Sequence, residues 1–254
     1  MDLGLDGKRV LVTGASSNIG RATAIVFGAE KARVAVGYHS NEAGAEQTAA
    51  LVEEAGGQGM ILQLDLADEA SVQDAADRVT AAFGGVDVLV NNAVAWSDFP
   101  EPGELFETAP VQRMRTGVEA NLLGHYLMTR AVVGSMRHQG WGRVVHISTG
   151  LVEDGFPGSS AYVTAKAGLH GLTRTMSREL ASAGVLTNLV MAGFVVGDRQ
   201  IPQEILSKTA AAAATGRTTT ATEVANLVVF LCSQANGHVT GELIRADGHF
   251  LTPN

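Results

Sequence analysis

The chain of 254 residues has one cysteine, six prolines, few aromatic side chains (5%) and only eighteen Lys and Arg against twenty-six Asp and Glu. Each shortage excludes something. A lone Cys232 cannot close an intrachain disulfide, so nothing calls for an oxidising compartment, and within the apolar run Leu227 to Cys232 it reads as a buried structural thiol. The net charge of −8 comes without the basic cluster that tracks a phosphate backbone, which argues against nucleic acid as a partner. No uncharged apolar run approaches the roughly 20 residues of a membrane span, and the start Met1-Asp2-Leu3 has no basic segment leading into an apolar stretch. A soluble cytoplasmic protein with no membrane partner is expected. The histidines are scattered without metal-ligand spacing, so no metal is expected either.

What is present points to a large folded unit. Hydrophobic residues make up 46%, enough for a substantial core and too many for a disordered chain. Thirty glycines exceed the about 7% of average proteins, but they show no three-residue period, which excludes collagen. The length suits one α/β domain, so residues 1–254 are read as a single domain.

Strand-length apolar runs alternate with helical patterns along the chain. The runs are Val10 to Val12, Val34 to Val36, Met60 to Leu64, Val86 to Val90, Val144 to Ile147, Val185 to Val190 and Leu243-Ile244. Helical patterns cover about 19–30, 42–54, 70–83, 104–137, 159–181 and 222–233, and Ala210 to Ala214 reads as a helix end. Buried strands separated by helical crossovers predict a doubly wound Rossmann fold, a seven-stranded parallel sheet with helices on both faces. Its ligands would sit at the C-terminal ends of the strands.

The first strand runs into Thr13-Gly14-Ala15-Ser16-Ser17-Asn18-Ile19-Gly20, a small-residue turn that opens a helix. Backbone N–H groups there can approach a pyrophosphate, and the helix N-terminus favours negative charge. The same pattern also occurs where nothing binds. After the second strand an acidic residue would favour NAD by bonding the ribose hydroxyl. Here the segment is Gly37-Tyr38-His39-Ser40-Asn41, with no carboxylate before Glu42. NADP(H) is therefore favoured over NAD(H), with His39, Ser40 and Asn41 as donors to a 2′-phosphate, although no Arg or Lys stands in that stretch.

Tyr162 and Lys166 lie four residues apart, on one face of a helix. A cation beside a phenol lowers its pKa from near 10 toward neutrality, which would make Tyr162 a usable proton donor and acceptor. A surface Lys beside a half-buried Tyr would give the same spacing.

Taken together, these motifs resemble the classical short-chain dehydrogenase/reductase family over nearly the whole chain. The resemblance implies that Asp65 and Leu66 border the adenine and that Asn92 and Ala93, in Asn91-Asn92-Ala93, lie along the cofactor. Gly14, Ser16, Ser17, Asn18, Ile19, Gly20, Gly193, Val195, Tyr162 and Lys166 would complete that cofactor site. Asn121 would hold a helix kink and a water of the proton relay. Val239-Thr240-Gly241 and Asp247-Gly248 match the family's C-terminal pattern.

The family's catalytic hydroxyl stands thirteen residues before the Tyr. Here that residue is Thr149, with Ser148 beside it as a weaker candidate. The catalytic set implied is Asn121, Thr149, Tyr162 and Lys166. Other departures are Asn18 for the middle glycine of the turn, Val94 for the glycine after Asn-Asn-Ala, Ala192 for the proline after the sixth strand, and Gly197 where many members carry Thr. Asn tolerates a left-handed backbone, so the turn can survive.

Substrate is read from loops beyond the strand ends. Trp96, Phe99, Leu151, Val152, Phe156, Ala192, Phe194, Val196, Ile201, Ile205 and Leu206 would suit a flat, apolar, polycyclic ketone. Each could also be ordinary loop packing. The chain most resembles actinomycete ketoreductases that tailor aromatic polyketides, the angucycline 6-ketoreductases in particular. The resemblance implies NADPH-dependent reduction of a ketone to a secondary alcohol in secondary metabolism, by a homo-oligomer, a tetramer in the family.

Two alternatives stand beside it. A 3-oxoacyl-[acyl-carrier-protein] reductase would share the mechanism, but the family's docking arginines fall near Gly140 and Ala183, with Arg137, Arg143, Arg174 and Arg178 in the vicinity. A non-catalytic NADP-binding sensor would explain the motif departures, against the retention of Tyr162, Lys166 and Asn121.

Overall fold

The structure, a computed structural model, describes residues 2–95, 104–197 and 200–250. Seven parallel strands pair in the order β3-β2-β1-β4-β5-β6-β7. They are β1 (Arg9–Val12), β2 (Arg33–Tyr38), β3 (Gln58–Gln63), β4 (Val88–Asn91), β5 (Gly142–Thr149), β6 (Val185–Ala192) and β7 (Leu243–Ala246). The strand order reverses between β1 and β4, the switch point where ligands bind in such sheets.

The strands are Val-rich because both of their faces are covered. On one face Val10, Val12, Val34, Val36, Val145 and Ile147 pack against α1 (Asn18–Ala29) and α9 (Ala221–Leu231). On the other, Leu11, Ala35, Leu62, Leu89 and Val144 meet α3 (Glu69–Phe83), α5 (Gly124–Gln139) and α7 (Ser160–Leu180). The alternation of neighbours such as Val144 and Val145 is the two-residue pleat that places side chains on opposite faces.

Helix ends follow local chemistry. The Asn41 and Asp68 side chains accept from the N–H groups of Gly44 and Ala70, starting α2 (Glu42–Glu54) and α3. Gly84 and Gly140, at positive φ, end α3 and α5.

The helix expected over 104–137 is broken. A 3₁₀ turn, Phe106–Thr108, is followed by α4 (Val111–Val118), a π-helical turn, Glu119–Leu123, and then α5. Pro110 has no N–H to give and so precedes the first turn of α4. At the π turn the Asn121 side chain donates to the Gly117 carbonyl, four residues back, and displaces the regular ladder. Two elements were not expected from sequence: α6 (Leu151–Asp154) and α8 (Gln203–Ala212), of which only the alanine end was legible. No helix among the described residues is long and apolar enough to cross a membrane.

Candidate active site

The turn after β1 is held by the exit of β4. Thr13 Oγ1 accepts from the N–H groups of Asn92 and Ala93, both at 3.0 Å, and Asn92 Nδ2 donates to the carbonyls of Thr13 and Gly14, also at 3.0 Å. Both glycines are required by close approach. A Cβ on Gly14 would lie 2.7 Å from Ala93 Cα, and one on Gly20 would lie 2.3 Å from the Gly14 carbonyl oxygen. Asn18 does take the left-handed conformation, with φ 49°.

The start of α1 fits a pyrophosphate. Ser17, its N-cap, makes no side-chain capping bond, and no acidic residue stands in the first turn, so backbone N–H groups remain for an anion. Asn18 Oδ1 is buried without a partner among the described residues. The opposite orientation of the carboxamide would present Nδ2 there, a donor for a phosphate oxygen. The same carboxamide abuts Gly197, where a Cβ would stand 2.7 Å from it.

At the adenosine end His39 and Asp65 face one another, Nε2 to Oδ2 3.7 Å. Asp65 Oδ1 also accepts from the Ala67 N–H, and Leu66 is buried. Ser40 is exposed. Asn41 is less free than expected, because its Oδ1 is engaged in capping α2 and only its amide NH₂ can serve a ligand. Residues 39–41 hold no cation; on α1, Arg21 Nη2 donates to the Ser16 carbonyl at 2.7 Å and Nε to Thr48 Oγ1. Its position one residue past Gly20 is the signal that could have found it.

The catalytic candidates gather at the C-terminal end of β5. Lys166 Nζ, buried, donates to the Ile147 carbonyl at 2.9 Å. Thr149 ends the strand, and its Oγ1 accepts from the Leu151 N–H at 3.3 Å. Asn121 pairs with Ala95 in both directions, Oδ1 from N–H and Nδ2 to C=O, each at 2.9 Å.

Two expectations meet a different geometry here. Ser148, the weaker hydroxyl candidate, faces α7, where its Oγ lies 3.0 Å from His170 Nε2 in a buried contact. The Tyr162 phenol is not lowered toward neutrality, because burial pushes it up to about 12. Burial likewise drives Lys166 down to about 7, and its Nζ stands 6.0 Å from the Tyr162 ring centre with a proton committed to Ile147. Desolvation therefore outweighs the attraction of the pair.

Of the pocket candidates, Val196, Ile201 and Leu206 line one open cavity of about 570 Å³ with Gln200 and Pro202. Leu151, Val152 and Phe194 are half-buried, whereas Phe156 and Ile205 are about half exposed and add little enclosure. Ala192 and Val195 are buried, Val195 within the sheet core, so Val195 offers only its backbone to a ligand. Gly193 cannot carry a side chain, since a Cβ would lie 2.4 Å from Thr219 Oγ1. Trp96 and Phe99 fall outside the described residues.

The positions read as docking sites lie elsewhere. Gly140 and Ala183 precede the starts of β5 and β6, the end opposite Thr149, where the Gly142 N–H donates to the Gly184 carbonyl. Arg143 is buried against the carbonyls of Ser233 and Asn236 and cannot face a partner.

A family model described as enoyl-(acyl carrier protein) reductase matches residues 14–250. The 3-oxoacyl-[acyl-carrier-protein] reductase FabG of Escherichia coli (strain K12) is 34% identical over 248 residues, 97% of this chain and 98% of that protein. FabG of Aquifex aeolicus (strain VF5) is 33% identical over 250 residues, 98% of this chain and 99% of that protein. A crystal structure of an NADH-dependent reductase, A1-R', responsible for alginate metabolism, superposes with a TM-score of 0.87 at 27% identity, covering 98% and 99% of the two chains.

Proposed function

The chain belongs to the short-chain dehydrogenase/reductase family of oxidoreductases, and we propose that it is an NADPH-dependent ketoreductase in which Tyr162, Lys166, Thr149 and Asn121 form the catalytic set. The observation that carries this reading is the buried Lys166, one helical turn from Tyr162 and bonded to the strand that ends in Thr149. When bound, a reduced dinucleotide would be the source of the hydride that the ketone carbon accepts. Tyr162 gives the carbonyl oxygen its proton, and a phenol raised to about 12 keeps that proton at working pH. Thr149 donates its hydroxyl hydrogen to the same oxygen. Lys166, as the ammonium, holds the nicotinamide ribose and steadies the phenolate left behind. Asn121 fixes the β4 exit and connects the site to water.

The bare α1 N-terminus and Asn18 support the pyrophosphate of either dinucleotide, and the absence of a carboxylate at 39–41, with Ser40 exposed and the amide of Asn41 left over, supports one with a 2′-phosphate. The open cavity in which Val196, Ile201, Pro202 and Leu206 outnumber Gln200 supports a flat, apolar, polycyclic ketone such as an aromatic-polyketide intermediate. The carrier-protein reading is favoured by a different observation, the names borne by relatives at 33–34% identity over nearly the full chain. Exposed Leu123 and Tyr126 beside the π turn support a homo-oligomer.

Initial rates with NADPH and NADH on a panel of polycyclic aromatic ketones and on a soluble 3-oxoacyl thioester separate these readings. We expect turnover of at least one polycyclic ketone, with NADPH preferred. Turnover of the thioester alone would replace that substrate class, and binding of NADPH without turnover of any ketone would overturn the enzyme reading in favour of a sensor.

A further inference from the structure

Close enough to Lys166 to feel its charge, three side chains of 0% exposure converge from three elements: Asn91 of β4, His146 of β5 and His125 of α5. Asn91 and His146 are register partners on neighbouring parallel strands, so their side chains rise from the same face of the sheet. His125 comes down onto that face, its ring 6.1 Å from that of His146 with the planes 13° apart. Four of their polar atoms, Asn91 Oδ1, His125 Nδ1 and both ring nitrogens of His146, have no partner among the described residues. One orphaned buried polar group is a burden, and four in one place exceed what a marginally stable domain tolerates.

The bonds that these residues do make define what is missing. Asn91 Nδ2 donates to Thr129 Oγ1 at 2.9 Å, leaving Oδ1 as an acceptor. His125 Nε2 lies 2.8 Å from the Ala93 carbonyl, which can only accept, so that nitrogen carries the hydrogen and Nδ1 is the bare acceptor. His146 is neutral, since burial and then Lys166 push it down to about 3, and it brings one donor and one acceptor. Burial, then Lys166 and His146, hold His125 neutral as well. Three acceptors therefore face one donor. The side chains cannot satisfy one another, and only a ligand that brings its own protons can. Among the described residues no three His, Cys, Asp or Glu side chains converge as metal ligands, which leaves a small neutral donor.

We propose that Asn91, His125 and His146 hold a cluster of internal water against the buried side of Lys166, and that through this water His146 is a positioning residue for the Lys166 ammonium. Water donates twice and accepts twice, and buried waters make about three bonds each, which matches the atoms left over. Lys166 acts electrostatically on both rings and uses one of its three N–H donors on the Ile147 carbonyl, so two remain for such water. The groups facing Lys166 are Tyr162 on its own helix, His125 from α5 and His146 from β5, and no carboxylate contributes to its shift. Bound water is then what keeps the charged form of this lysine available.

The kinetic half of this inference rests on Lys166 belonging to the catalytic set, and the structural half does not. A high-resolution crystal structure of the wild-type holoenzyme is expected to show ordered water within hydrogen-bond distance of a His146 ring nitrogen and Asn91 Oδ1. A dry pocket overturns the proposal outright. His146→Val removes both ring nitrogens, so the ammonium loses support and its pKa falls. The alkaline limb of the kcat profile should move about one pH unit lower, with kcat on that limb down about tenfold and KM for the ketone unchanged. His146→Gln, which keeps a donor and an acceptor, should restore the limb. A limb that stays in place in His146→Val, or moves equally in both variants, overturns the positioning role. If His146→Val fails to fold, His146→Met, which also lacks both ring nitrogens, takes its place in the comparison with His146→Gln, and the wild-type crystal structure still decides the water site. Lys166→Met with parental activity would instead sink the catalytic reading while leaving the water site standing.

Discussion

Where β1, β4 and β5 begin, the polar groups close on one another. Arg9 reaches both oxygens of Asp87 at 2.8 and 2.6 Å, its own N–H donates to the same carboxylate, and Gln139 Nε2 adds a further bond at 2.9 Å. Arg143 gives its guanidinium to carbonyls and lies over the Trp141 ring. Where the same strands finish, and among the described residues, Lys166 is buried without a counter-charge, the His125 and His146 rings carry unpartnered nitrogens, and the Asn18 carboxamide leaves its oxygen unbonded. The first end spends its polar groups on holding the strands in register. The second keeps donors and acceptors in reserve, as a site must if a ligand or a transient charge is to use them.

The sharpest test of that contrast is Tyr162→Phe. The variant loses the proton donor of the reaction but keeps the ring and its packing, so kcat should fall about 10² to 10⁴-fold while the protein still unfolds as one cooperative unit. Reduction at the parental rate would remove the finishing end's claim to be the site.

The strands and the outline of this site were legible because buried parallel strands are written as Val- and Ile-rich runs, and Tyr162 and Lys166 are close in sequence. What escaped was tertiary. The resemblance implied a helix kink at Asn121, but not its π form nor the reach of Asn121 to Ala95 across the β4 exit. The sense of the Tyr162 shift depends on how much water each member of the pair loses, which spacing does not record. Ser148 could be judged only once β5 had turned it toward His170. Asn91 and His146 become neighbours only through strand register, and neither stands in a pattern that names the other.

The beginning end should fail in the opposite way. Asp87→Asn leaves the Arg9 guanidinium without its charge partner, and we expect a loss of about 2 to 3 kcal/mol at pH 7, below the usual range for a buried pair because Arg9 is partly exposed. Activity per folded molecule should be unchanged. Burial pushes the Asp87 carboxyl up, but the bonds and charge of Arg9 more than offset this and hold it below its ordinary range. A carboxylate lowered on folding contributes fully above its unfolded value, about 4. That contribution is lost as pH falls through the folded value. Urea unfolding of wild type and variant should therefore converge as pH is lowered below about 4. An equal gap at pH 7 and in acid would show that the ion pair is not what holds this end.

The smallest expected effect probes whether openness belongs to the strand ends or to that whole side of the molecule. The start of α9 follows a loop on the finishing side, yet it is closed: Thr220 Oγ1 accepts from the Glu223 N–H at 3.3 Å, and Glu223 Oε2 accepts from the Thr220 N–H at 2.9 Å. Bonds from Arg217, first, and from Thr220 hold the Glu223 carboxyl at about 2, so it stays ionised and keeps accepting throughout the working range. Thr220→Ala removes one arm of this reciprocal cap and should cost about 1 kcal/mol, with kcat and both KM values unchanged. Loss of activity beyond the loss of folded protein would mean that the cap also shapes the site. The contrast would then have to be drawn between whole layers of the fold rather than between the two ends of its central strands.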